Sequence, residues 1–320
     1  MRNFSIFRYR GNRDGKGVAK GEDLRPTLRN FFKFFWRKLS HLLSLNILML
    51  FQVIPIVGAV LAYFMTSKTP SQTSVIFAPV YGVSLIKQSP ATSLLLSLLG
   101  IPLNIPVFNN PSYWIIAVCA VSLILTLGWQ TVGSAYVLRN LVRGDAVFVM
   151  GDYFYAIRRN FKQGFLFGLL DAALLSTLAV DFLYYSHYTG AFWRDVLFWI
   201  LTAIALLYLM MRPYIYVMLI TFDMKIWKMF KNALIFSILG VKRNLMAVVG
   251  IVLLFAIHFL LIVYLLPLGI AIPLILPVVY ILAATGFIIV YAIYPVIDRY
   301  MIAPYRKENE AEDDSDAVEP

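Results

Sequence analysis

Uninterrupted apolar runs of the length of a bilayer recur along this chain, and nothing else in it limits the choice of fold as strongly. A spanning helix needs about 20 mostly apolar residues, and about six stretches qualify: Leu42 to Met65, Tyr113 to Leu138, Gly164 to Tyr184, Val196 to Thr221, Leu245 to Leu266 and Gly269 to Ile297. The runs are continuous rather than alternating, and too long for strands, so helices are the remaining way to satisfy backbone groups in lipid. Composition agrees: 60% of the 320 residues are hydrophobic and only 14% charged, with a mean hydropathy of +0.76. The chain reads as a polytopic, all-helical membrane protein.

Basic residues set the expected orientation. Of 28 Lys and Arg, Arg212 falls inside a span and Lys68, Lys87 and Arg194 fall on the side opposite the N-terminus, leaving 28 − 1 − 3 = 24 on one side. That side is expected to be cytoplasmic, with both termini and the loops Arg139 to Lys162 and Asp223 to Arg243. The division is then a basic N-terminal segment, 1–40, a transmembrane domain, 41–304, with an outer loop over 66–112, and an acidic tail, 305–320. The tail "ENEAEDDSDAVEP" holds seven acidic residues and reads as disordered and solvated. The basic N-terminal region is far longer than that of a signal peptide, and no A-x-A site follows the first span, so that span is expected to stay uncleaved. A basic inner face is the default for an inner-membrane protein and gives no reason to expect nucleic acid. Cys119 is the only cysteine, so neither an internal disulfide nor a CxxC site can form. His41, His187 and His258 make no ligand pair, and neither a metal nor a cofactor is expected.

The spacers carry a second pattern. Val147, Met150, Phe154, Ile157 and Phe161 recur at steps of three or four, with Asp152, Arg159 and Gln163 on the other side. Trp227, Phe230, Leu234, Ile238 and Val241 repeat the spacing before the fifth span, opposed by Lys225, Lys228 and Lys231. Leu28, Phe31, Phe35 and Leu39 do so before the first, opposed by Arg25, Arg29, Lys33 and Arg37. Each describes a helix lying on the membrane surface. The unit is an interfacial helix, a span out and a span back, and its basic turns are Arg37 and Lys38, then "IRRNF" from Ile157, then "VKRNL" from Val241. The expected fold is therefore about six transmembrane helices in three hairpins, each preceded by a cytoplasmic amphipathic helix.

Asp171, Asp181, Gln52, Gln130, Arg212 and His258 interrupt the spans. Ionisable groups in lipid face the protein interior and find partners. Asp171 and Arg212 fall at similar depths on the two arms of one hairpin, which predicts an ion pair fixing its register, while Asp181 falls near the outer end. Pro213 frees a backbone carbonyl beside Arg212. The outer connection, 66–112, contains an apolar stretch, "SLLLSLLGIPLNIPVF", too short and broken to span; it is expected to cap the outer face.

Motifs add a resemblance. "GSAYVLRNLVRGD" from Gly133, "DYFYAIRRNFKQG" from Asp152 and "VIPIVGA" from Val53 resemble the signatures of the YesL (DUF624) family, in which a span ends in Arg-Gly-Asp or Arg-Gly-Glu before an Asp-x-Phe … Asn-Phe-Lys-Gln helix. The chain departs from the family between Pro55 and Gly133, where it carries the longer outer connection. The resemblance implies a bacterial cytoplasmic-membrane protein encoded among polysaccharide-utilisation genes with carbohydrate ABC importers, and it supplies no catalytic residues. It picks out Arg143, Gly144, Asp152, Asn160, Phe161, Lys162 and Gln163; with Arg158 and Arg159 these form the candidate surface for a partner or for anionic lipid headgroups.

No nucleophile elbow, H-E-x-x-H or P-loop occurs, so an enzyme is not expected. The expected function is an accessory or scaffolding membrane protein associated with a carbohydrate ABC importer. A secondary transporter is the alternative, since Pro267, Pro273, Pro277 and Pro295 break the last spans in the way transporters use to open backbone to a ligand.

Overall fold

A computed structural model describes residues 26–64, 111–187 and 192–304. The loop over 66–110, the tail from 305 and the segment before 26 lie outside the described residues, and the expectations for them with it. Among the described residues every regular element is helical: α1 (Leu28–Arg37), α2 (Leu39–Leu50), α3 (Val53–Phe64), α4 (Pro111–Arg143), α5 (Val149–Arg159), α6 (Phe161–His187), α7 (Phe192–Thr221), α8 (Ile226–Leu239), α9 (Val241–Leu265), α10 (Ile272–Leu276) and α11 (Leu282–Ile297). Five stretches are long and apolar enough to cross a membrane: Pro111–Arg143, Phe161–Ser186, Phe192–Thr221, Val241–Leu268 and Ile272–Ile302. They become six when α2 and α3 are counted as one broken span.

Two expected spans differ from the observed helices for identifiable reasons. The run from Leu42 to Met65 is interrupted by a turn at Phe51 and Gln52, so it forms two helices. The run from Gly269 to Ile297 is assembled from α10, a π-helical turn over Pro277–Ile281, and α11. Pro273 and Pro277 have no N–H to give to an α-helical ladder, and the backbone widens at that point.

Contacts divide the chain into two units, Met1–Phe51 with Ile124–Pro320, and Gln52–Leu123. In the smaller unit Gln52 Nε2 donates to Leu123 O at 3.4 Å, and a Cβ on Gly58 would stand 3.1 Å from Cys119 Sγ, so α3 and the start of α4 run antiparallel. In the larger unit Gln163 Nε2 reaches Met224 O and Asp171 reaches Arg212, which makes α6 and α7 antiparallel as well. The middle of α4 crosses the start of α6 where neither helix has a side chain. A Cβ on Gly128 would strike Gly164 O, and one on Gly168 would strike the backbone of Gly128. Lipid tails are as apolar as leucine, so close backbone approach through small residues is a main source of helix association in membranes.

The same joint recurs three times. A single residue separates α1 from α2, α5 from α6, and α8 from α9: Lys38 (φ −100°, ψ 11°), Asn160 (φ −109°, ψ 25°) and Gly240 (φ −89°, ψ 13°). In each case its N–H still bonds the carbonyl four residues back, on Phe34, Ala156 and Phe236. The chain therefore changes direction without releasing that backbone group into lipid, which is costly.

Candidate functional site: a cationic cleft and a buried carboxylate

The residues singled out by the motifs gather where α5 turns into α6, facing the end of α7. Arg158, Arg159, Asn160, Phe161, Lys162 and Gln163 form one wall of an open cleft of about 570 Å³, and 219–223 form the other. Asn160 is the hinge of this wall: its backbone N–H and its Nδ2 both donate to Ala156 O, at 3.0 Å each, and its carbonyl accepts from Gly164 N–H at 2.7 Å. Gln163 ties the two walls together at 2.6 Å through Met224 O. Trp129 fixes the apolar side of the turn. Its indole N–H donates to Phe161 O at 3.0 Å, and its ring stacks on Phe161 and Phe165 with centroids 4.5 and 5.2 Å apart. Only Arg159 among the three cations has a hydrogen bond among the described residues, a long one of 3.4 Å to Tyr155 OH. Asp223 is the one carboxylate in the lining.

The other motif positions shape the approach to this turn. Gly144 has φ +81°, a conformation natural only to glycine, and it ends α4 as Asp145 N–H returns to Asn140 O at 3.0 Å. Arg143 pairs with Asp145 at 3.3 Å, both about half exposed, a contact worth less than about 1 kcal/mol. Asp152 accepts the N–H of Phe148 at 3.0 Å and so satisfies the residue that caps the start of α5. Partial burial raises its carboxyl above the usual range, and that hydrogen bond opposes the rise. Tyr153, packed under Gly133, has its hydroxyl pushed up to about 12 by burial. Burial, with the help of Arg37, lowers Lys38 at the first joint, against a smaller opposing pull from Asp145.

Asp171 and Arg212 meet deeper in the bundle. Asp171 is fully buried, and Arg212 Nε–H is shared between its two oxygens at 2.9 and 2.8 Å. Tyr208 OH donates to Oδ1 and Tyr216 OH to Oδ2, each at 2.7 Å. The guanidinium also stands 5.2 Å from the centre of the Tyr216 ring. Reading the sequence for charges alone missed both tyrosines. The available signal was their spacing, four residues either side of Arg212 and therefore on its face of α7. With both oxygens occupied by short hydrogen bonds, this carboxylate is held as a structural anchor.

A second guanidinium went unnoticed because it lies near a span end among other basic residues. Arg139 is buried behind the cleft: Nη1 donates to Ile220 O at 3.2 Å and to Thr221 Oγ1 at 3.0 Å, while Nε and Nη2 share Asn140 Oδ1. Its plane lies 4.7 Å from the Tyr136 ring. Among the described residues no carboxylate pairs with it. Asp181 and Gln130 do not join either group; among the described residues Gln130 Oε1 and His258 Nε2 are buried without a partner, and His258 Nδ1 lies 3.3 Å from Tyr280 OH. Among the described residues no group of three or more metal-ligating side chains converges.

No protein-family model matches the chain, and neither a characterised protein nor a solved structure is detectably similar to it.

Proposed function

We propose that this chain is an accessory, non-enzymatic membrane protein that docks on a carbohydrate importer through the basic end of its bundle. The carrying observation is that Arg158, Arg159 and Lys162 stand around an open cleft, while both oxygens of the carboxylate inside the bundle are taken up by Arg212 Nε and two tyrosine hydroxyls. Charge available at the surface together with charge locked in the interior suits binding better than conduction. The basic end faces the cytoplasm in this reading, by the excess of Lys and Arg, and the membrane is the bacterial cytoplasmic membrane. The resemblance of Arg143, Gly144, Asp152 and the Asn160–Gln163 run to YesL proteins supports the choice of partner, the importer's permease or ATPase subunits.

The finer architecture belongs to the same proposal. Three hairpins, each entered from an amphipathic helix on the inner surface, explain why one joint recurs at Lys38, Asn160 and Gly240. They also explain the exposed apolar side chains of those helices, Trp36, Met150, Phe154, Trp227 and Ile238, which lipid would cover. Affinity purification in mild detergent tests the partner. Importer subunits should be enriched with the wild type and lost with an Arg159→Glu, Lys162→Glu variant; a wild type that emerges alone ends this reading.

The alternative, a secondary transporter, draws on Pro213 inside α7 and on the π-helical turn at Pro277–Ile281, since broken helices line substrate sites in such proteins. Solute uptake by the purified chain in liposomes would favour it.

A further inference from the structure

The geometry points to the cleft between the α5–α6 turn and the end of α7 as a seat for the phosphate of an anionic phospholipid. This inference rests on the chain lying in a membrane, and it is independent of any importer.

Charge selects the ligand's sign. Arg158, Arg159 and Lys162 against Asp223 give the lining +3 − 1 = +2. Arg139 adds a charge immediately behind it, bonded to Ile220 O and Thr221 Oγ1, two residues of the opposite wall. This guanidinium is hydrogen-bonded only to neutral oxygens among the described residues, with Asp145 a more distant electrostatic neighbour, and its positive field strengthens an anion site in front of it. Guanidinium groups match the geometry of phosphate oxygens, and lysine supplies a point charge.

Depth selects the source. The cleft lies at the ends of two helices long and apolar enough to span, Phe161–Ser186 and Phe192–Thr221. Its apolar flank is the stack of Trp129 on Phe161, and exposed Phe154 and Tyr155 stand on the adjoining helix with exposed Phe148 at its cap. Aromatic side chains of this kind settle at headgroup level. A phosphodiester with acyl chains satisfies the cations and covers the aromatics at once, whereas free phosphate could do only the first. A volume of about 570 Å³ accommodates a headgroup.

The test titrates the full-length protein in neutral detergent with phosphatidylglycerol, phosphatidylcholine or inorganic phosphate, reading bound lipid by native mass spectrometry and thermal stability in parallel. Two variants accompany the wild type: Arg158→Gln, Arg159→Gln, Lys162→Gln in the cleft, and Lys225→Gln, Lys228→Gln, Lys231→Gln on α8. The expected result is phosphatidylglycerol retained by the wild type and by the α8 variant, with the cleft variant weakened on the order of a hundredfold. Three outcomes would overturn the inference: equal retention of phosphatidylcholine, equal loss in both variants, or stabilisation by inorganic phosphate equal to that by the lipid. Importer co-purification is read in a separate experiment, so either claim can fail alone.

Discussion

Asp171 carries the strongest local commitment in the bundle. One carboxylate takes hydrogen bonds from Arg212, Tyr208 and Tyr216 with no water-exposed surface. Removing one member of a buried charged pair leaves the other uncompensated, at a cost of about 3–5 kcal/mol. Arg212→Gln should therefore lower the thermal unfolding temperature in detergent substantially, while Tyr216→Phe, which deletes one neutral donor, should cost only about 1–3 kcal/mol. Unchanged stability in Arg212→Gln would mean that the pair contributes nothing to the fold. The sequence made Asp171 and Arg212 legible, because charges inside apolar runs are rare. Tyrosines are unremarkable in this chain, and their hydroxyls acquire meaning only when α6 brings a carboxylate within reach.

At the scale of elements, the last span shows how one side chain braces an irregular turn. Where the π-helical turn passes into α11, the fully buried Asn46 of α2 bonds the backbone at both 278 and 283. Its Nδ2 donates to Val278 O at 2.7 Å and its Oδ1 accepts from Ala283 N–H at 3.0 Å. Asn46→Ala would take this partner from both backbone groups in an apolar interior, at a cost of about 1–3 kcal/mol. Its unfolding temperature should drop, and hydrogen exchange should accelerate around Ala283 while α6 stays protected. Uniform acceleration would mean that Asn46 supports the whole bundle rather than this turn. The short helices teach a related lesson. The spacing of Met150 and Phe154, or of Trp227 and Ile238, picks out apolar residues that the structure leaves exposed. The side chains that face the bundle are Tyr153 and Ala156 on α5, and Met229, Ala233 and Phe236 on α8. Periodicity finds an apolar face without saying whether protein or lipid covers it.

For the whole molecule, the pressing question is which way the basic end points. The proposed orientation, drawn from the excess of Lys and Arg, puts it in the cytoplasm, and the single native cysteine makes this directly measurable. In a Cys119→Ser background, Lys231→Cys on exposed α8 should react with a membrane-impermeant maleimide only after the cells are opened. Labelling of intact cells would invert the topology and with it the proposed docking surface. What the sequence determined by itself was the class of solution: bilayer-length apolar runs leave only helices as a way to pair the backbone, and the helix ends follow from local groups such as Gly144, Asn160 and Asp152. What only the tertiary structure decided was which polar groups meet. The Asp171 cluster, the Asn46 bridge across 278 and 283, and Arg139 behind the cleft each join segments far apart in the chain. In a sequence this apolar, one helix face resembles another until close contacts such as Gly128 on Gly168 fix the register between them.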